Sequence, residues 1–177
     1  MSLTRAVLRS PVGDLTAAVV DGALTTLTFG AGRAAETGPD RCPIPGPDQD
    51  GPGVDEVAPE AHPVLAAVAS QLDEYFAGRR TSFDLPLRPA GGVFERRVWS
   101  ALREIPHGQT RSYGQVARQL GQPLAAQAVG AANGRNPIAV IIPCHRVIGA
   151  DGSLTGYAGG LDRKRFLLDL EQPDRLF

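Results

Sequence analysis

Cys144 and His145 are adjacent in the run Pro143-Cys144-His145-Arg146-Val147, and an acidic residue, Glu171, follows further along the chain. A thiol beside an imidazole is a candidate nucleophile. The thiolate is the reactive form, and a thiol at its ordinary pKa is mostly protonated at neutral pH, so something must take the proton. His145 is next in sequence, but adjacent side chains usually diverge. Direct contact and a bridging water both remain open. A carboxylate such as Glu171 would hold the imidazole in one tautomer, as in other triads. Free cysteines are also among the most buried residue types, and most are inert. Spacing alone therefore leaves a packing role for Cys144 open too.

The elements that must position these residues can be read from periodicity. Ile138–Ile142 is an apolar run, expected to be a short, buried, extended segment that delivers the chain to Cys144. Before it, Phe94–Ile105 reads as a helix with Phe94, Val98, Trp99, Leu102 and Ile105 on its apolar side, broken by Pro106-His107-Gly108. Ser112 starts a short helix to Leu120, and Ser112 with Gln115 has the spacing of a capping box. Gly121-Gln122-Pro123 predicts a turn. Pro123 suits the first position of a further helix that runs to about Asn133 and stops at Gly134. Two short helices across a tight turn form a helix-turn-helix. The second carries Ala125, Ala126, Ala128, Gly130, Ala131 and Ala132. Such small side chains suit close approach to a partner surface or tight packing in a core, and the pattern does not choose between them.

The first half reads differently. Arg5–Leu8, Leu15–Val20 and Leu24–Phe29 are predicted strands, the last two joined by an Asp21-Gly22 turn typical of hairpins. Residues 30–60 alternate Pro and Gly with acidic residues and predict a mobile surface loop. Cys42 lies in it with no base nearby and is read as incidental. Pro63–Ala77 is a predicted helix with Leu65, Val68, Leu72 and Phe76 at helical spacing and Gly78 as its stop, and Thr81–Leu87 is a candidate strand. The expected fold class is α+β. A small N-terminal antiparallel-sheet domain (1–88) precedes a mostly helical domain (89–177) containing the helix-turn-helix and the Cys144 motif.

Composition narrows the function. The formal net charge is -1, but residues 1–89 carry 7 Lys+Arg against 12 Asp+Glu, while residues 90–177 carry 11 against 7. A basic C-terminal half points modestly toward a polyanionic partner. Two distant cysteines argue against a disulfide framework, and no Cys/His pair has zinc-ligand spacing. No apolar run has membrane-spanning length. Met1–Arg5 lacks a basic start followed by an apolar stretch, so neither signal peptide nor membrane anchor is expected and a cytoplasmic location follows.

Pro143–Val147 resembles the active-site motif of the O6-alkylguanine-DNA alkyltransferases, also called methylated-DNA–protein-cysteine methyltransferases. Phe94–Trp99, Ser112-Tyr113, Ala128-Val129-Gly130, Asn136-Pro137, Tyr157-Ala158-Gly159-Gly160, Lys164 and Glu171 resemble the family in order and spacing. The strong resemblance spans about residues 92–171, and the first half is similar only loosely. It implies minor-groove binding through the helix-turn-helix, extrusion of the damaged nucleotide and irreversible, single-turnover transfer of a methyl or other alkyl group to Cys144. The donor would be O6-alkylguanine or, by extension, O4-alkylthymine in DNA. By the same resemblance His145 and Glu171 assist the thiol, and the Tyr113 hydroxyl stabilises the departing guanine. Lys164 and Asn136 hold the site together. Ala126, Gln127, Ala128, Ala131, Arg135 and Tyr113 would meet DNA. Val147, Tyr157, Ala158, Gly159 and Gly160 would line the base pocket. No cofactor or metal is needed, because the alkyl donor is the DNA itself, and nothing demands more than a monomer.

Two positions depart from the family pattern. Gln127 stands where the family usually has an arginine that enters the stack in place of the flipped base, which predicts weaker DNA binding, slower flipping or a changed substrate. Ala158 replaces a serine found in some relatives. Zinc ligands that some relatives carry in their N-terminal half have no counterparts here. The competing expectation is a non-enzymatic alkylguanine-binding protein that recruits other repair factors. Such relatives replace the reactive cysteine, and this chain keeps it. A helix-turn-helix regulator would need a second module or a dimer surface. A cysteine hydrolase would need an oxyanion arrangement that the sequence does not display.

Overall fold

The computed structural model describes residues 3–30 and 54–172. Three strands, β1 (Leu3–Leu8), β2 (Leu15–Val20) and β3 (Ala23–Phe29), form an antiparallel meander. The hairpin between β2 and β3 turns at Asp21 and Gly22, both with positive φ (47° and 75°), as an Asp-Gly turn requires. Alternating residues of the meander (Ala6, Leu8, Leu15, Ala17, Val19, Leu24 and Leu27) face a common core. A fourth strand, β4 (Val54–Glu56), pairs in parallel with β1, giving the sheet order β3-β2-β1-β4. The predicted loop 30–60 is therefore too long at its end. Val54–Glu56 finds β1's open edge, and Pro59–Ala61 forms a 3-10 turn. Cys42 lies outside the described residues.

Helix α1 (Pro63–Phe76) caps its N-terminus with His62, whose Nδ1 accepts from Val64 N–H. Its buried face is Leu65, Val68, Leu72 and Tyr75 rather than Phe76. The aromatic pair was resolved wrongly in the sequence because both residues lie near the apolar stripe. Thr81–Leu87 is not a strand. Pro86 has no N–H to give a ladder, so pairing with β3 is limited to an isolated bridge, with Leu24 N–H donating to Pro86 O and Arg88 N–H to Leu24 O.

The second half contains α2 (Val93–Arg103), β5 (Arg111–Ser112), α3 (Tyr113–Gln119), α4 (Ala126–Gly134), β6 (Val147–Ile148) and α5 (Leu161–Glu171). Ser112 and Gln115 form the reciprocal cap at the start of α3. The following helix starts three residues later than expected. Ala125 N–H bonds Gln122 O, closing a separate turn, and Pro123 and Leu124 precede the helix. Trp99, the only tryptophan, locks α2 against α4 through Nε1–H to Ala132 O at 2.8 Å. Helix α5 had no counterpart in the sequence reading beyond the general expectation of a helical second half.

The apolar run 138–142 is buried as expected but is not extended. Ile138 bridges Leu27 of β3, and the chain then turns back, with Ile142 N–H donating to Ile138 O and Val140 at φ 69°. A β-branched residue in the left-handed region is strained and persists only where its surroundings dictate the conformation. Here β3 supplies that constraint. Leu27 N–H donates to Pro137 O and Ala139 N–H to Leu27 O, both at 2.8 Å, so the edge of the first sheet clamps the approach to Cys144.

Replacing Trp99 with Phe removes the hydrogen bond to Ala132 and leaves a void between α2 and α4. The expected loss is about 2 kcal/mol of stability, read by denaturant unfolding followed by circular dichroism.

Candidate active site

Cys144 opens a 3-10 turn, Cys144–Arg146, at the end of the clamped segment. Two asparagines from the end of α4 and just beyond it fix that turn. Asn136 Nδ2 donates to Ile142 O at 2.8 Å, and its Oδ1 accepts from Ile138 N–H at 3.0 Å, closing the turn from within. Asn133 Nδ2 donates to Cys144 O at 3.3 Å. Cys144 is only 5% exposed. Burial pushes its pKa up, opposed by the Asn136 side chain and by the positive charge of Lys164. It is a protonated thiol at rest, and reaction requires a base.

His145 is fully buried, and its Nε2 lies 2.7 Å from Glu171 Oε1. Burial lowers the imidazole pKa despite the carboxylate, so the ring is neutral at neutral pH. With a carboxylate as acceptor, the proton sits on Nε2. The Nδ1 lone pair is buried and has no partner. No hydrogen bond joins it directly to the thiol, which decides against direct Cys-His contact.

Glu171, at the end of α5, is the hub. Its Oε1 accepts from His145, from the Tyr75 hydroxyl at 2.7 Å and from Arg146 Nη2 at 3.0 Å. Its Oε2 accepts from Arg146 Nε at 2.8 Å and from Gly108 N–H at 3.3 Å. Arg146 also donates to Ile105 O at 2.6 Å. Burial acts to raise the Glu171 pKa, but the donors from His145 and Arg146 outweigh it and hold the carboxyl well below its usual range. Tyr75 and Arg146 were not assigned in the sequence. Arg146 stands inside the motif, but its need for a carboxylate follows from its burial, which the sequence does not display. Tyr75, from the other half of the chain, offered only its place on α1's apolar stripe.

Lys164, the only lysine, is fully buried and donates to Val147 O at 2.6 Å and Thr155 O at 2.8 Å, tying β6 to the 150s loop. Burial pushes its pKa down to about 8, partly opposed by the nearby Cys144. Tyr113 donates to Thr155 O at 3.1 Å, with its ring 3.7 Å from where a Cβ on Gly130 would lie. Tyr157 points its hydroxyl into the interior, where it is buried without a geometrically sound partner. It is close enough to the thiol for the two to influence each other's ionisation. Its ring meets Phe29 edge-on at 5.8 Å. Gly159 has no room for a side chain, because a Cβ would fall 2.6 Å from Phe29 and 2.9 Å from Tyr157. Gly160, at φ 89°, precedes α5, while Val147 is buried and Ala158 exposed.

Helix α4, the second of the helix-turn-helix, carries no charged residue. Gln127, Ala128 and Ala131 are exposed, Ala126 is half-buried, and Leu124 before the helix is 98% exposed. Arg135, beyond the helix end, is exposed but already paired with Glu95 at 3.2 Å. Among the described residues, no cluster of His, Cys, Asp or Glu could hold a metal ion, and no helix is long and apolar enough to cross a membrane.

A buried thiol, a neutral imidazole held by a carboxylate and a helix-turn-helix thus lie together in the second half of the chain. Residues 93–173 match the family model of the 6-O-methylguanine DNA methyltransferase DNA-binding domain. Residues 3–89 match that of its ribonuclease-like domain. The methylated-DNA–protein-cysteine methyltransferase of Mycolicibacterium paratuberculosis is 61% identical over 108 residues, covering 61% of this chain and 66% of that protein. The protein of the same name from Methanosarcina acetivorans is 62% identical over 101 residues, covering 57% and 65%. These matches span slightly less than two thirds of the relatives' length. The O6-methylguanine methyltransferase of Mycobacterium tuberculosis superposes with a TM-score of 0.79 at 44% identity, covering 98% of this chain and 95% of that one. A complex of the Mycobacterium tuberculosis OGT with DNA gives the same TM-score and identity, with 96% and 93% covered. The chain belongs to the O6-methylguanine-DNA methyltransferase family.

Glu171→Gln removes the charge that Arg146 needs and is expected to destabilise the protein by about 3 kcal/mol at pH 7, read by chemical denaturation. Because the folded carboxyl titrates below its ordinary value of 4.5, its contribution is complete above that pH and lost as pH falls further. The gap between wild type and variant should therefore close in acid.

Proposed function

We propose that this chain repairs DNA by direct reversal, moving an alkyl group from the O6 position of guanine irreversibly onto Cys144. The supporting observation is the buried thiol next to a neutral imidazole whose Nδ1 is left without a partner. His145 takes the thiol proton through a bridging water, since the two side chains do not meet, and Glu171 stabilises the imidazolium as it forms. The thiolate sulfur attacks the alkyl carbon, the S–C bond forms as the C–O6 bond breaks, and guanine leaves as an anion that must be neutralised. Tyr113, released from Thr155, would supply a proton or hydrogen bond there. Lys164 and Asn136 hold the backbone on either side of the nucleophile. The product is a thioether, which this site has no means of cleaving, so each molecule acts once.

Cys144 is nearly sealed, so the base must enter by moving the Tyr157–Gly160 segment, with Val147 as floor. The face bearing Ala126, Gln127, Ala128 and Ala131 approaches the minor groove, where small side chains allow close contact and extrusion of the damaged base costs least. Arg135 would have to leave Glu95 to contact phosphate. In this reading 1–88 and 89–177 are separate domains of a cytoplasmic monomer that needs no cofactor.

Incubation with a duplex carrying one O6-methylguanine should add one methyl in place of a hydrogen on Cys144, located by peptide mass, and none to Cys144→Ala. No gain on duplex, single strand or free O6-benzylguanine would favour a non-enzymatic binder instead. Gln127→Arg should increase the duplex transfer rate by about tenfold, the order of one charge-assisted hydrogen bond. An unchanged rate in single-turnover kinetics would remove Gln127 as the limit on flipping.

A further inference from the structure

We infer that Tyr75, contributed by the N-terminal half of the chain, is a positioning residue of the alkyl-transfer site that sets how strongly Glu171 acts on His145. Its hydroxyl donates at 2.7 Å to Glu171 Oε1, the same oxygen that accepts from His145 Nε2, also at 2.7 Å. Tyr75 is 1% exposed, and burial with the adjoining carboxylate raises its pKa far above the ordinary phenol value. It is therefore always a neutral donor. Its ring is held by edge contacts with Phe76 at 5.3 Å and His107 at 6.2 Å and by a tilted contact with Phe83 at 5.4 Å. The hydroxyl thus has one fixed direction.

Arg146, whose two-nitrogen grip reaches both oxygens, and Gly108 N–H hold the carboxylate in place without Tyr75. Tyr75 adds something different. A donor on Oε1 withdraws negative charge from the oxygen that faces the imidazole, so Glu171 favours the imidazolium less strongly than it would alone. The other titratable or charged groups around the pair are Cys144 and Arg146 on the 3-10 turn, Lys164 on α5, Tyr157 in the loop before α5, and His107 against the tyrosine ring. Of these, Arg146 and Lys164 oppose a charge on His145, and neither changes when the hydroxyl is removed. Tyr75 is also the one link in this network that comes from the half matching the ribonuclease-like domain. Among the described residues it is this half's direct hydrogen bond to Glu171, beside the backbone contacts that Leu27 makes with residues 137–139.

The role rests on the alkyl-transfer reading, and two readouts keep the two ideas separable. In Tyr75→Phe the packing is kept and the donor lost. Methyl transfer on the plateau above the acid limb should rise, by at most about tenfold, the order of one hydrogen bond to a charged group, because the freed Glu171 stabilises the forming imidazolium more strongly. The acid limb of the rate–pH profile should move to higher pH, because a freer Glu171 holds the proton on His145 longer. Substituting 3-fluorotyrosine at position 75, a stronger donor, should move that limb the other way. Both shifts should recur in the pH profile of Cys144 alkylation by iodoacetamide, followed by peptide mass, a reaction that needs no DNA. Limbs that stay in place in both variants, whatever the change in rate or stability, would reduce Tyr75 to a packing residue. Shifts with iodoacetamide but no methyl uptake by wild type would uphold the Tyr75 role while overturning the repair reading.

Discussion

A single buried carboxylate organises this molecule. Glu171 lies among apolar side chains at 6% exposure, where an unpaired charge would be untenable. It survives because Tyr75, Gly108, His145 and Arg146 all donate to it. These donors come from α1, from the connection between α2 and β5, and from the turn that carries the nucleophile. Satisfying one charge therefore fixes the relative positions of segments far apart in sequence. It also fixes the proton of His145 on Nε2, the nitrogen that faces the carboxylate.

The nucleophile is held by a second, independent device. The turn that ends at Cys144 contains a β-branched residue in the left-handed region and has its carbonyls and N–H groups taken by Asn136, Asn133 and the edge of β3. The first sheet thus serves the site twice, once through its edge on residues 137–139 and once through the helix that delivers Tyr75.

Much of this was legible in the sequence. The hairpin at Asp21-Gly22, the apolar stripe of α1, the cap at Ser112 and Gln115 and the helix-turn-helix all follow local rules of turn and helix chemistry, and the structure contains each of them. What failed was non-local. Val54–Glu56 forms a strand only because β1 has an open edge. Thr81–Leu87 forms none because Pro86 cannot ladder. The 138–142 run turns because a side chain upstream, Asn136, replaces the hydrogen bonds that an extended segment would have sought. The Cys144-His145 motif and Glu171 were visible as types and spacing. The hub was not, since Tyr75 and Arg146 acquire meaning only when folding brings them to one carboxylate.

The central claim is that His145 rests as a neutral imidazole with its proton on Nε2 and its Nδ1 lone pair free. Nitrogen-15 NMR of the histidine-labelled protein at neutral pH reads this state directly. The account predicts a protonated Nε2 coupled to a downfield proton and an Nδ1 with the shift of an unprotonated ring nitrogen. Two protonated nitrogens, or a proton on Nδ1, would mean that His145 cannot accept the thiol proton, and the account would fail.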